Sequence, residues 1–210
     1  VKPFYNRYEP CLEAADFYED ADENNLINFY TLMATINYDT KNNQKVPNEW
    51  NNYDVILANK VSMNDIKLIK IIKNGKLALL NNPKAIFKFG RNIKFHFDMF
   101  HGNGVLDKAI DFLNNKDKED FRKYVMNNSS YNAGNMFICR SKKLINEYYK
   151  AIFEWLSNCE KIFGFDLEGY NKIRIYGFLA ERFLPFWFNK YAKCLEWPIL
   201  FNDLNKENFK

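Results

Sequence analysis

The chain has 210 residues, 30 Lys and Arg against 26 Asp and Glu, a net charge of +4, and 18% aromatic residues. This aromatic content and weak net charge exclude intrinsic disorder for most of the chain. No apolar run approaches the roughly 20 residues that span a bilayer, and the start, VKPFYNRYEP, lacks a signal-peptide pattern. We therefore expect one globular domain over 1–210, with an acidic, loop-rich part at 1–52 and a core at 53–200.

The composition also limits the kinds of binding site. Only six of the 30 basic residues are arginine, the usual reader of phosphates and base edges, which argues against nucleic-acid binding. The four cysteines lie far apart without a CxxC motif, at Cys11, Cys139, Cys159 and Cys194. With two histidines, His96 and His101, this excludes zinc ribbons and favours free thiols in the cytoplasm. Any catalytic metal would be Mg²⁺ or Mn²⁺ held by carboxylates.

In chain order, the acidic first 25 residues precede a predicted helix at about 25–36 and a polar loop at 37–52. The segment YDVILANK then predicts a strand. Ser62 is expected to cap a helix with an apolar face of Ile66, Ile69 and Ile72, which Gly75 ends. KLALL (76–80) predicts a second strand, and the alternation of apolar and polar residues over 93–100 predicts a third, half-buried strand.

The second half of the chain continues this alternation. Helices are predicted at about 104–115 and 117–127, followed by a buried strand at 135–139. Ser141 is expected to cap a helix over 142–162 that Gly164 ends, and Pro185 to kink or end an aromatic helix at about 170–190. The order predicts an α/β fold, with a mixed or parallel sheet flanked by helices. Ligands bind at the carboxyl ends of strands in such sheets, so the loops after Asn59, Asn81, Phe100 and Cys139 are candidates.

An acidic cluster near the N-terminus offers a possible metal site. Asp20 and Asp22 form an Asp-x-Asp pair, the device by which nucleotide-sugar transferases hold a divalent cation against a diphosphate. The alternative is that this acidic run complements the dipole of the helix that follows.

Two further segments carry polar residues at predicted element ends. His101 stands at a strand exit before Gly102-Asn103-Gly104, which forms either a ligand loop or a plain turn. Asn132 and Asn135 flank a glycine, where amides can bind sugar hydroxyls; the alternative is a turn that needs a residue in the left-handed conformation.

Charged residues also interrupt the last aromatic segment. Arg174 and Phe178 should share a helix face there, and Glu181 beside Arg182 is either an ion pair or a general base.

These motifs resemble a bacterial domain-of-unknown-function family of glycosyltransferases from capsular-polysaccharide and O-antigen gene clusters. The matching elements are Asn135-Met136-Phe137-Ile138, Trp155-Leu156, and Arg174, Gly177, Phe178, Glu181 and Arg182. His101 with Leu106 resembles the family's His-x-x-x-Asp-Leu, with Val105 in place of the acid. The resemblance is strongest over about 95–190. The family's His-Tyr-Arg-Arg-Tyr signature is missing near 40–50, where NNQKVPNEWNN stands.

The resemblance implies a nucleotide-sugar-transferase fold of the GT-A kind and transfer of a sugar from a nucleotide-sugar donor to a capsular or surface polysaccharide. Glu181 is the expected proton acceptor and His101 its competitor. Asn132, Asn135, Arg174 and Arg182 would position sugar or phosphate, and Asp20 and Asp22 would hold Mn²⁺ or Mg²⁺. The alternative is a non-catalytic carbohydrate-binding or assembly module of a larger capsule enzyme. In either case we expect a cytoplasmic protein, with peripheral association with the inner membrane or the capsule machinery left open.

Overall fold

A computed structural model describes residues 46–165 and 173–198 of the chain. Nearly all of these residues belong to one compact unit, Glu49–Pro198. The helix predicted at 25–36 and the Asp20 and Asp22 pair lie outside the described residues. The division into a loop-rich part at 1–52 and a core at 53–200 therefore stays a prediction.

The described part of the chain contains seven α-helices, five short strands and four 3-10 helices. The strands are β1 (Val55–Ala58), β2 (Lys60–Ser62), β3 (Ser130–Asn132), β4 (Phe137–Cys139) and β5 (Cys194–Trp197). The α-helices are α1 (Leu68–Asn74), α2 (Lys76–Asn81), α3 (Ile93–His101), α4 (Val105–Asp111), α5 (Asn115–Asn127), α6 (Lys142–Phe163) and α7 (Ile175–Tyr191). The 3-10 helices are Asn48–Asn52, Met63–Asp65, Pro83–Ile86 and Lys88–Gly90.

A mixed three-stranded sheet has β1 at its centre, antiparallel to β4 and parallel to β5. All four β1 residues are buried, as their apolar sequence VILA requires. A second, two-stranded sheet pairs β2 with β3 in antiparallel register, with Val61 opposite Tyr131. The predicted combination of helices with a mixed sheet is confirmed. The sheets are small, because two of the predicted strands are helices.

The segment KLALL was predicted wrongly as a strand and forms most of α2. Periodicity cannot separate a short apolar run in a strand from one in a helix. Leu, Ala and Lys are strong helix formers, so local propensity favours the helix. Pro83 begins the next 3-10 turn directly after it.

The strand predicted over 93–100 is also wrong, since these residues form α3, which Asn92 caps by accepting a hydrogen bond from Phe95 N at 2.8 Å. The alternation of buried residues has a helical origin. Ile93 and Phe97 are four residues apart and pack into the main core, whereas Phe95 and Met99 pack into a second, smaller core. Two buried faces of one helix thus give the period of a strand.

The helix predicted after Ser62 is displaced. Ser62 caps the 3-10 helix Met63–Asp65, and α1 begins only at Leu68. Helix α1 ends at Gly75 as predicted, but its buried residue is Ile71, while Ile69 is 81% exposed. The predicted apolar face was therefore wrong, because the sequence has isoleucine on more than one side of the helix.

The later elements agree with the prediction. Helix α4 lies within its predicted range, and α5 begins at Asn115, two residues before the predicted start, and ends at Asn127 as predicted. The side chain of Ser141 accepts a hydrogen bond from Leu144 N at 3.2 Å at the start of α6, and Gly164, with φ +65°, follows its last residue. Pro185 lies inside α7 and does not end it. The strand predicted at 135–139 is shortened to half-buried β4.

The main core is rich in aromatic residues and is formed by side chains of the five helices α3, α4, α5, α6 and α7 and of the sheet. Trp155 donates its indole N–H to Ala109 O at 2.7 Å within it, and Trp187 is 4% exposed. Trp50 packs edge-on against Trp197 at 5.4 Å. The second core contains Ile71, Ala78, Ala85, Phe95 and Met99. Within residues 46–165 and 173–198, no helix has both the length and the apolar character needed to cross a bilayer.

Candidate functional site

The candidate site lies at the carboxyl end of β1, the end at which ligands bind in α/β sheets. Asn132 ends β3 and donates its side-chain N–H to Ala58 O, the last residue of β1, at 2.6 Å. This bond brings the turn after β3 to that end. Strand β4 runs antiparallel, so Cys139 pairs with Val55 at the opposite end. The candidate loop after Cys139 therefore lies at the amino end of β1, opposite to the end that carries the candidate site.

Helices α3 and α7 bring two imidazoles to one guanidinium. Arg182 is 1% exposed, and its Nη2 lies 3.1 Å from His96 Nδ1 and 3.5 Å from His101 Nε2. Since guanidinium nitrogens only donate, the facing imidazole nitrogens act as acceptors and carry no proton. The proton of neutral His101 is then on Nδ1, a buried atom with no hydrogen-bond partner.

Glu181 joins α7 to the turn after β3. Its Oε1 accepts a hydrogen bond from Gly134 N at 2.8 Å, and its Oε2 forms an ion pair with Arg182. Gly134 has φ +88°, a conformation that side-chain-bearing residues rarely adopt. The glycine of the predicted turn, Gly134, is therefore the residue whose backbone N–H binds the Glu181 carboxylate.

Aromatic rings form the sides of the site. Phe178 stacks on the His101 ring with centroids 3.8 Å apart, and the Arg174 guanidinium lies 5.3 Å from the Phe178 ring on the shared helix face that the spacing predicted. The Arg182 guanidinium lies 4.5 Å from the Tyr131 ring. The contact with Tyr131 stabilises a charge that is buried, since Arg182 is 1% exposed, whereas Arg174 is exposed to solvent.

The electrostatics of the site keep both imidazoles neutral. Burial, and next the Arg182 charge, lower the pKa of His96 and of His101 to about 3. Burial raises the pKa of Tyr131 to about 12, although Arg182 opposes this shift. At neutral pH the site therefore presents neutral, hydrogen-bonding rings beside the ion pair of Arg182 with Glu181.

Three buried polar atoms in this region have no hydrogen-bond partner: His101 Nδ1, Arg182 Nε and Asn132 Oδ1. Such atoms are rare in folded proteins, because each carries a desolvation cost. Their concentration here indicates a place where a polar ligand can add contacts.

All six predicted catalytic and binding residues lie in this region. His101, Glu181 and Arg182 are brought into one cluster. Asn135 is exposed, and its side-chain amide donates a hydrogen bond to the backbone oxygen of Gly177 in α7 at 3.1 Å. Arg174 is exposed at the start of α7. Their roles stay predictions, because the structure fixes positions and contacts only.

Sequence reasoning missed the contributions of His96 and Tyr131. The alternation of apolar and polar residues over 93–100 places His96 on the polar face of a predicted strand. In α3 it instead lies on the side of Arg182, five residues before His101. Residues five positions apart lie roughly 140° apart around a helix, so even the helical period does not bring both histidines to one neighbour. Tyr131 gave no signal in the sequence.

No group of three or more His, Cys, Asp or Glu side chains in 46–165 and 173–198 could hold a metal ion. Asp20 and Asp22 lie outside these ranges, so the predicted Mg²⁺ or Mn²⁺ site stays a prediction. A groove of about 440 Å³ opens elsewhere, with walls that include Lys84, Lys88 and Phe89.

Taken together, these features define a protein of helices and small mixed sheets, with a buried polar site at the carboxyl end of strand β1. The chain belongs to the family described as domain of unknown function DUF4422, whose model matches residues 28–193. The match spans every described element of the candidate site. No curated protein and no solved structure gives a significant match to the chain.

Proposed function

We propose that the protein is a cytoplasmic glycosyltransferase with a GT-A-like fold, which moves a sugar from a nucleotide-sugar donor to a capsular or surface polysaccharide. The observation that carries this proposal is the cluster of Glu181, Arg182 and His101 at the carboxyl end of β1. The likeness of the same residues to motifs of a capsular glycosyltransferase family supports it.

Glycosyl transfer needs stabilisation of the departing diphosphate and removal of the acceptor hydroxyl proton. In our proposal Arg174, exposed at the start of α7, binds the diphosphate, with Arg182 adding positive potential from below. The amides of Asn132 and Asn135 contact sugar hydroxyls. Asn132 Oδ1 and His101 Nδ1 are the unpartnered atoms that a sugar can satisfy.

Glu181 is the better candidate for the proton acceptor. Each of its oxygens has one protein donor, and a carboxylate oxygen can accept two hydrogen bonds, so an acceptor site remains on each. Its side chain is 18% exposed, which leaves it accessible from solvent. A general base works best with a pKa near the working pH, and His101, with a pKa of about 3, is too weak a base.

The test is a screen of the full chain against nucleotide-sugars, with and without Mn²⁺ or Mg²⁺, for thermal stabilisation and donor hydrolysis. We expect at least one nucleotide-sugar to raise the melting temperature of the protein and to be hydrolysed by it. Glu181→Gln should lower turnover by about 10²- to 10⁴-fold while donor stabilisation persists. Glu154→Gln, an exposed carboxylate on α6, is the matched control and should leave turnover unchanged. A protein that shows neither stabilisation nor hydrolysis with any donor would refute the proposal.

One observation favours the second candidate, a non-catalytic carbohydrate-binding or assembly module. Both oxygens of Glu181 already bind protein donors, the arrangement of a structural ion pair. This candidate predicts that oligosaccharide binds without donor turnover and that Glu181→Gln leaves the binding affinity unchanged.

A further inference from the structure

Exposed apolar side chains are concentrated in one stretch of the chain. Eight of the 15 large exposed hydrophobic residues in the described part lie within 68–89. The most exposed are Ile69 at 81%, Leu80 at 76% and Phe89 at 81%. Phe87 and Phe89 stack on each other with centroids 5.6 Å apart. Such a concentration on a folded surface marks a place that binds something.

This stretch is folded and has its own buried residues, so the exposure of its other apolar side chains is not the result of local unfolding. Ile71, Ala78 and Ala85 are buried in the second core, against Phe95 and Met99 of α3. Arg91 is 5% exposed, and its guanidinium donates to the carbonyl oxygens of four residues, Asn64, Ile66, Ala85 and Ile86. We name the stretch 66–90 the basic lobe. Its buried side chains pack against α3, while its other apolar side chains are exposed to solvent.

The charge of this region differs from that of the rest of the chain. Residues 66–97 contain seven lysines, one arginine and no acidic residue. The remaining residues hold 22 basic against 26 acidic side chains, so the region is positive on an otherwise acidic chain. Six of the lysines are exposed beside the apolar residues, at Lys67, Lys70, Lys73, Lys76, Lys84 and Lys88. None of these six forms an ion pair with another described residue.

We propose that the basic lobe docks the protein on the surface of an anionic lipid bilayer. Its exposed Ile, Leu and Phe side chains would enter the boundary between headgroups and acyl chains, and its lysines would bind the anionic headgroups. The groove beside Lys84 and Lys88 offers space for a headgroup phosphate. This proposal is independent of the proposed glycosyl transfer.

Other occupants fit less well. A symmetric dimer through this lobe would bring twelve exposed lysines together without acidic partners, which is repulsive. A nucleic acid would use the charge but would leave Ile69 and Leu80 without apolar contacts.

The basic lobe also adjoins the candidate site. The ammonium of Lys70 lies 5.0 Å from the Phe100 ring, and Phe100 lies 5.0 Å from the His96 ring. His96 contacts Arg182 directly. Docking through the lobe would therefore hold the site close to the bilayer surface.

The test is co-sedimentation of the full chain with vesicles of phosphatidylcholine alone and of phosphatidylcholine with 30% phosphatidylglycerol, about one anionic headgroup in three. We expect binding to the anionic vesicles that weakens at least about tenfold in 0.5 M NaCl, since salt screens the lysines. Ile69→Ser with Phe89→Ser, and separately Lys84→Glu with Lys88→Glu, should each weaken binding about tenfold or more. All four residues are exposed, so both variants should keep the wild-type melting temperature.

Matched controls come from helix α6. Phe153→Ser with Ile162→Ser removes two side chains that are each 55% exposed, and Lys142→Glu with Lys143→Glu reverses two exposed charges; neither should change vesicle binding. The proposal is overturned if the chain does not bind anionic vesicles, or if the lobe and α6 variants weaken binding equally. It is also overturned if the serine variant converts a dimer to a monomer, or if the lobe binds RNA with no need for Ile69 and Phe89. Donor hydrolysis in solution decides the glycosyl transfer separately.

Discussion

At the scale of single residues, the central fact is a buried guanidinium held by one carboxylate and two neutral imidazoles. Arg182 makes its ion pair with Glu181 and contacts both histidines of the chain. A protonated imidazole beside this guanidinium would be a second buried positive charge. Burial and this repulsion together make protonation of either histidine unfavourable in the folded state.

This arrangement predicts a loss of stability in mild acid. The folded-state pKa values of His96 and His101 are about 3, below the ordinary value of 6.5, so between these values the unfolded chain binds more protons. The contribution of these two histidines to the free energy of unfolding should be constant above about pH 7 and fall as the pH drops from 6.5 towards 3. The fall is at most about 1.4 kcal/mol per pH unit for each imidazole. Urea unfolding between pH 7.5 and 5 measures it.

His96 and His101 are the two histidines of the chain, so the titration can be observed directly. Imidazole ¹⁵N shifts should stay constant from pH 7.5 to 5 in the folded protein, and His96→Gln should reduce the pH slope of stability. Imidazoles that titrate near pH 6.5 would contradict the buried cluster.

Some of these residues were predictable and others were not. Glu181 and Arg182 interrupt a run of Phe, Leu and Trp, and a charge in such a run must find a partner, so their pairing could be predicted. Gly134 was marked as a turn residue. The contact of Arg182 with His96 and Tyr131 could not be predicted, because it joins three elements far apart in the chain. No local pattern encodes such a contact.

At the scale of elements, α3 explains why the fold was predicted only in part. Its apolar residues alternate because Ile93 and Phe97 face one core and Phe95 and Met99 face another. The prediction of a strand from alternating apolar and polar residues assumes that one face of the element is buried and the other is solvated. A helix between two cores breaks that assumption. Helices with one buried face and clear caps, such as α6, were predicted to within a residue or two.

The cap of α6 allows a direct test. Ser141→Ala should lower the free energy of unfolding by about 1 kcal/mol, because Leu144 N loses its hydrogen-bond acceptor. Urea unfolding with an unchanged m-value would measure this difference. Ser141→Asp keeps an acceptor at the cap and should restore most of the stability. An alanine variant as stable as the wild type would show that the cap contributes nothing.

At the scale of the whole described unit, the main core and the basic lobe should differ in stability. The main core joins five helices and the sheet, whereas the second core contains five residues, with the Arg91 hydrogen bonds to Ile66 and Ala85 beside it. Regions with fewer buried contacts open at lower free energy than the global unfolding. The lobe should therefore open while the main core stays folded.

Hydrogen exchange measures this difference. Amides of α1 and α2 should exchange faster than those of α6 and α7. Arg91→Met should accelerate exchange in the lobe and leave α6 and α7 unchanged, because the four carbonyl groups that Arg91 binds belong to the lobe and its N-terminal entry. Equal acceleration in α6 would show that the two cores unfold together.

The positions of the tryptophans have a practical consequence for such measurements. Trp155 and Trp187 lie in the main core, and Trp50 packs against Trp197 beside the sheet. These are the four tryptophans of the chain, and none is in the basic lobe. Intrinsic fluorescence therefore follows the main core and the sheet alone. A molecule with an opened lobe would keep the emission spectrum of the native protein, and a fluorescence titration would count it as folded.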